Sequence, residues 1–224
     1  MSPNDYTPAT ETDYLFAEDM APAVRKSAVL SDESPEPVYR YVLERWWCDP
    51  SAFLQRPATF VMLNPSTADA DHDDPTIQRC MKFARAWGLD GIRVVNLYAW
   101  RATQPADMWA ALAGGADIVG PRNEHEIRKA LLWAYNTRTP VIAAWGNHGA
   151  EGRVEWLRQQ VQRLAGTSSG CGRGLVLSCL GTTLSGAPKH PLARGQHRIP
   201  DDQEPMQWWP SENATPPGQT GGDR

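Results

Sequence analysis

Four short apolar runs, Ala58 to Leu63, Ile92 to Leu97, Val141 to Trp145 and Leu175 to Leu180, each stop at a polar or glycine-bearing turn, and the segments between them carry helical spacing. This alternation constrains the fold more than any other feature. A strand buried on both faces reads as a continuous apolar run, and the helices joining such strands must cover the sheet. The pattern predicts an α/β fold: a three-layer α/β/α sandwich around a central, mainly parallel four-stranded sheet. In that architecture ligands bind at the carboxyl ends of the strands, so polar residues there are the first candidates for a site.

The helical segments have readable ends. Asp74-Pro75 is an N-cap followed by proline at the first helical position, and Ile77, Met81, Ala84 and Trp87 recur at three- and four-residue steps until Gly88. Gly120-Pro121 opens a second helix through Ile127, Leu131 and Ala134, and Val154 to Leu164 gives a third. Ahead of the four runs, Val38 to Trp47 is rich in β-branched and aromatic residues and reads as a strand. The 224 residues therefore divide into an acidic extension over 1–35, with a short helix around Tyr14 to Met20, one α/β domain over 36–202, and a flexible tail over 203–224 in which Met206 to Trp209 docks.

The net charge of −4 hides an uneven division. Residues 1–74 carry 5 Lys and Arg against 14 Asp and Glu, residues 75–200 carry 16 against 7, and residues 201–224 carry 1 against 5. A basic body between acidic ends is the footprint that a phosphate backbone requires, which makes a nucleic acid a candidate partner, with an ordinary solvated surface as the alternative. Cys48, Cys80, Cys171 and Cys179 form no C-x-x-C pair, so we read them as reduced thiols and expect neither a metal nor a cofactor. No run approaches the ~18 apolar residues of a membrane span and the N-terminus has no signal pattern, so a cytoplasmic protein without membrane contact or obligate protein partner is expected.

Polar residues stand at each strand end. Pro65 holds Asn64 extended after the first run, presenting its amide, with Ser66 beside it. Asn96 interrupts the second run and has the donor and acceptor needed to read a base edge, although a satisfied core asparagine fits the same position; Tyr98 and Trp100 follow it. The third run ends in Gly146-Asn147-His148-Gly149, whose glycines allow close approach of a phosphate. After the fourth comes a basic loop, Lys189-His190-Pro191-Leu192-Ala193-Arg194.

From about Arg40 to Arg198 the chain resembles a family of uncharacterised bacterial and phage proteins marked by L-N-P-S-T-A-D, D-P-T-I-x-R-C, V-V-N-L, G-P-x-N, A-W-G-N-H-G and H-P-L. It also resembles the uracil-DNA glycosylase superfamily. That family has Asn or Asp before Pro at the end of the first strand, as in Asn64-Pro65, a base-reading Asn on the central strand, as in Asn96, and a final H-P-S followed by a wedge residue, as in His190-Pro191-Leu192. Two positions depart from the pattern: Met62 stands where the first motif opens with Gly, and Leu192 where Ser follows H-P.

The resemblance implies a DNA glycosylase that flips out a nucleotide and excises its base, leaving an abasic site. Asn64 would position the attacking water with Asp69 as the assisting acid, and His190 would stabilise the charge on the base oxygen or hold the adjacent phosphate. Asn96, Ser66, Tyr98 and Trp100 would contact the base, with core packing the alternative for Tyr98. Leu192 would be the wedge, and Lys189, Arg194, Arg198, Asn147 and His148 would lie along the DNA. The occurrence of the family in bacteria and phages points to a modified pyrimidine such as glucosylated 5-hydroxymethylcytosine in phage DNA, with phage restriction as the outcome.

Two other classes stay open. A base-binding module or base-modifying transferase would keep the pocket without cleavage, since an amide is no general base. A metal-dependent phosphoesterase would use Asp69, Asp71, His72, Asp73 and Asp74 with Gly146-Asn147-His148, but the D-x-H and G-H-x-H motifs of that class are missing from the sequence.

Overall fold

The apolar runs become inner strands of a single mixed sheet. The computed structural model describes residues 24–31, 37–49, 54–66, 72–166 and 174–210. In chain order the elements are β1 (Arg25–Leu30), β2 (Arg40–Trp46), β3 (Pro57–Met62), α1 (Pro75–Ala86), β4 (Gly91–Asn96), α2 (Pro105–Ala113), α3 (Asn123–Thr137), β5 (Val141–Ala143), α4 (Glu151–Gly166), β6 (Leu177–Cys179) and β7 (Met206–Trp209). The strand order across the sheet is β1-β2-β4-β3-β5-β6-β7. The pairs β4-β3, β3-β5 and β5-β6 are parallel, whereas β1-β2, β2-β4 and β6-β7 are antiparallel.

The sheet thus has seven strands, not four. β1 lies within the acidic 1–35 segment, so that extension is not loosely held throughout; the helix expected at Tyr14 to Met20 lies outside the described residues. β7 lies in the 203–224 segment: Met206 to Trp209, the stretch expected to dock, does so by pairing with β6. Both are edge strands with exposed or half-exposed side chains. An edge strand is only partly covered by the helix layers and needs no continuous apolar run, which is why hydrophobicity alone identifies neither as a strand.

Hydrophobic cores occupy both faces. Alternation along the fully buried β3 sends Phe60 and Met62 to one side, where Ile92, Val94 and Ile142 join the α1 residues Ile77, Cys80, Phe83 and Ala84. Val61 and Leu63 go to the other side, against Met108 of α2, Ile127 and Leu131 of α3, and Leu157 and Val161 of α4. Helix α2 is not among those the spacing predicts: only Met108 of its residues is buried, so there is no apolar stripe to read.

The start of α1 is anchored twice. Asp74 caps it, its Oδ1 accepting from the Ile77 amide at 2.9 Å, and Pro75 takes the first turn. Next to it, Asp73 pairs with Arg45 at 2.5 Å and with Lys26 at 3.4 Å. Arg45 has no exposed side-chain surface, so the pair ties residues 73–74 to β2. Among the described residues no helix is long and apolar enough to cross a membrane.

Candidate active site

At the carboxyl ends of β3, β5 and β6 the connecting segments enclose a cavity of about 520 Å³, lined by Asn64, Ser66, Asp74, Asn147, Lys189 and His190 among others. The segment after β3 contributes Asn64. Its Nδ2 donates to the carbonyls of Ala102 at 2.8 Å and Pro65 at 3.1 Å. Carbonyls only accept, so this pair fixes the amide's orientation and commits both of its hydrogens. What Asn64 has left to offer the cavity is Oδ1, an acceptor.

His190 is complementary. Its Nδ1 accepts from the Leu192 amide at 3.2 Å, which places the proton of the neutral ring on Nε2. Burial pushes the imidazole pKa below its ordinary value of 6.5, with the Asp74 charge opposing that shift in part. A neutral ring with a single N–H donor is therefore the resting form. The loop carrying it is joined to the end of β5, where Gly146 (φ +68) donates its amide to the Pro188 carbonyl at 2.9 Å. Gly149 is required for a different reason: a Cβ there would stand 2.5 Å from the Trp145 ring.

Asp74 brings a carboxylate to the same cavity. Its second oxygen accepts a short hydrogen bond from Ser66, so one side chain serves as helix cap, as anchor for the β3 segment and as cavity lining. The sequence pointed to Asp74 as a helix cap and, in the phosphoesterase alternative, as one of an acidic run, but not as a partner of Asn64 and His190. Nothing in Asp74-Pro75 says which way the cap faces. Arg40 and Thr183 also line the cavity and were missed, because their place there depends on what distant parts of the chain bring opposite them.

Several expected residues are elsewhere. Asn96 is 1% exposed and does not line the cavity. The reason lies in the backbone: the Leu97 amide donates to Met62 O at 2.8 Å and the Tyr98 amide to Leu63 O at 3.0 Å, so pairing continues past Asn96 and covers it. Its backbone carbonyl accepts from Asn123, while its own Oδ1 is buried without a hydrogen-bond partner among the described residues. Tyr98 is buried edge-to-face against Trp109, and Trp100 packs edge-to-face on Tyr39, so neither offers a stacking face to the cavity.

The DNA-facing candidates divide. Lys189, Arg194, Asn147 and His148 line the cavity. Leu192 and Arg198 instead line an adjoining cleft with Pro75 and Arg79, where Leu192 is half-buried and does not project as a wedge. The Asn147 side chain is already engaged, its Oδ1 accepting from Thr183 at 2.7 Å and from Ser185 at 3.0 Å. Asp69 lies outside the described residues.

A family model, described as "Protein of unknown function (DUF1643)", matches residues 40–192. The chain belongs to the DUF1643 family. The DUF1643 segment contains Asn64, Asp74, Asn147 and His190, and stops before Arg194 and Arg198. No curated protein and no solved structure matches the chain. Among the described residues of this DUF1643 protein, no group of three His, Cys, Asp or Glu side chains could hold a metal ion. Asp73, one of the acidic residues a metal site would use, is paired with Arg45 and Lys26.

Proposed function

We propose that this DUF1643 protein is a DNA glycosylase that draws a nucleotide out of DNA and cleaves the N-glycosidic bond of a modified pyrimidine. The observation that carries the reading is the complementary pair in one cavity: Asn64, limited to accepting, and His190, limited to donating. Hydrolysis of an N-glycoside needs these two functions. As the C1′–N1 bond breaks, its electrons leave with the base, and the His190 Nε2–H stabilises the negative charge that reaches the base oxygen. A water held by Asn64 Oδ1 adds to C1′, and its proton passes to the Asp74 carboxylate. A positioned donor of this kind is typically worth ~10²–10³ in rate.

The surroundings support DNA as the substrate. Lys189 and Arg194 place cations at the cavity for flanking phosphates, with Arg198 in the next cleft. A cavity of about 520 Å³ leaves room around a pyrimidine ring for a bulky substituent, such as the sugar of glucosylated 5-hydroxymethylcytosine. We read the parallel strands β4, β3, β5 and β6, with helices on either face, as the three-layer core of the uracil-DNA glycosylase fold, extended at both edges. The biological role we attach to this is cytoplasmic restriction of phages with modified DNA.

The test is to incubate the purified protein with modified and unmodified phage DNA and to assay free base and alkali-labile abasic sites. Wild-type protein should generate both products from modified DNA, and His190→Ala should reduce them ~10²-fold or more. Binding without release of base would point to a binding module or transferase, and the absence of abasic sites in every DNA would overturn the glycosylase reading.

A further inference from the structure

The loop between β6 and His190 presents an apolar side chain that nothing covers. Leu184 is 93% exposed, whereas the other exposed large apolar side chains among the described residues lie between 38% and 51%. Single exposed leucines are common on protein surfaces. This one differs in being held out by a braced loop at the cavity. Thr183, its immediate neighbour, lines the cavity.

The bracing is polar and specific. The Gly186 amide donates to Thr183 O at 3.0 Å and the Thr183 amide to Ala187 O at 2.8 Å, which closes a tight turn with Leu184 at its first central position. Gly186 takes the left-handed conformation (φ +80) that completes it. The hydroxyls on either side of the leucine, Thr183 and Ser185, both reach Asn147 Oδ1, at 2.7 Å and 3.0 Å. From the far side, Trp208 of β7 donates its indole N–H to Gly186 O at 3.0 Å. The turn is thereby fastened to the end of β5 and to β7, while its apolar tip is left free.

We propose that Leu184 is the residue that enters the base stack and fills the gap left by the extruded nucleotide, and that Asn147 is a positioning residue that holds the turn in place. The inference rests on the glycosylase reading for its substrate, duplex DNA. It assigns the wedge to a different loop position from Leu192, which is half-buried in the adjoining cleft. An inserted apolar side chain offsets the cost of unstacking best when it is fixed before contact, and the attachments to Asn147 and to Trp208 provide that rigidity. The requirement applies to duplex DNA alone, because a base in a single strand has no partner to leave.

The experiment uses an oligonucleotide with a single glucosylated 5-hydroxymethylcytosine, presented as duplex and as single strand, with 2-aminopurine beside the target to report local unstacking. Leu184→Ala should lower base release from the duplex about 10- to 100-fold and leave the single strand unaffected. It should also abolish the 2-aminopurine rise that wild type produces on the duplex. Leu184→Met should restore both, Asn147→Ala should show a smaller duplex-selective loss, and Leu192→Ala should behave as wild type. Since Leu184 is 93% exposed, its variants should keep the wild-type unfolding midpoint. Wild-type duplex release by Leu184→Ala, or a duplex-selective defect in Leu192→Ala instead, would overturn the assignment. A Leu184-dependent fluorescence rise without base release from either substrate would retain the wedge and reject the glycosylase; neither rise nor release would reject both.

Discussion

Two adjacent parallel strands each carry an asparagine at or just beyond the carboxyl end, and the two side chains meet opposite fates. Asn64 stands two residues beyond β3, with both amide hydrogens tied to carbonyls and its oxygen left to the cavity. Asn96 is the last residue of β4, opposite Met62 in the register, and is closed off because Leu97 and Tyr98 go on pairing with Met62 and Leu63. The residue type is the same, and both stand within two residues of a strand end. What separates a candidate catalytic amide from a core amide is how far backbone pairing runs past it, which depends on the neighbouring chain.

The sharpest way to test that contrast is Asn64→Ala. Single-turnover base release should fall about 10²- to 10³-fold with DNA affinity little changed. Equal loss of binding and turnover would mean that Asn64 merely shapes the cavity. The second test concerns the donor that faces Asn64. Because the folded-state pKa of His190 lies below 6.5, release should hold at pH values somewhat under 6.5 and fall only as the ring gains its proton. Stability should follow the same group. The unfolded chain takes up this proton at about 6.5 and the folded chain only at lower pH, so the unfolded state binds more protons between the two values. The contribution is complete above pH 6.5 and is lost as pH falls through that window. Urea midpoints taken between about pH 7.5 and about pH 5 should therefore drop more for wild type than for His190→Gln; identical slopes would show that the ring is not held neutral.

The smallest effect belongs to the other asparagine. Asn96→Leu removes a buried oxygen that has no partner among the described residues, so stability should stay within about 1 kcal/mol of wild type and base release should be nearly unchanged. A large loss of release on this substitution would show that Asn96 becomes accessible when DNA binds, and the contrast with Asn64 would collapse.

Much of the inner fold was legible for one reason: strands buried on both faces must be apolar along their length, and Ala58 to Leu63 and Ile92 to Leu97 are. The cap at Asp74 was readable because a helix start imposes a local requirement that a short side chain and a following proline meet within a few residues. β1, β7 and α2 were harder to read, since their residues are largely exposed and the pattern that betrays burial is missing. At the site, Asn64 stood out because a polar residue directly after an apolar run is locally visible, and His190 because it stands before Pro191 in a basic loop. Arg40, Thr183 and the second role of Asp74 did not, because each depends on what another part of the chain brings opposite. Leu192 shows the converse: its place after His190-Pro191 suggested a wedge, yet packing against the start of α1 takes it into a cleft.

By itself the sequence determined where the inner strands run, where helix α1 begins, and that asparagine and histidine stand where those strands give way to loops. These are properties of periodicity and of capping chemistry, which act over a few residues. Only the tertiary structure decided that Asn64 and His190 share a cavity while Asn96 does not, that Asp74 joins them, and that Leu184 is left uncovered. Those outcomes turn on hydrogen bonds between segments distant in the chain, Asn64 to Ala102, Gly146 to Pro188 and Thr183 to Asn147, and no local pattern encodes such a pairing.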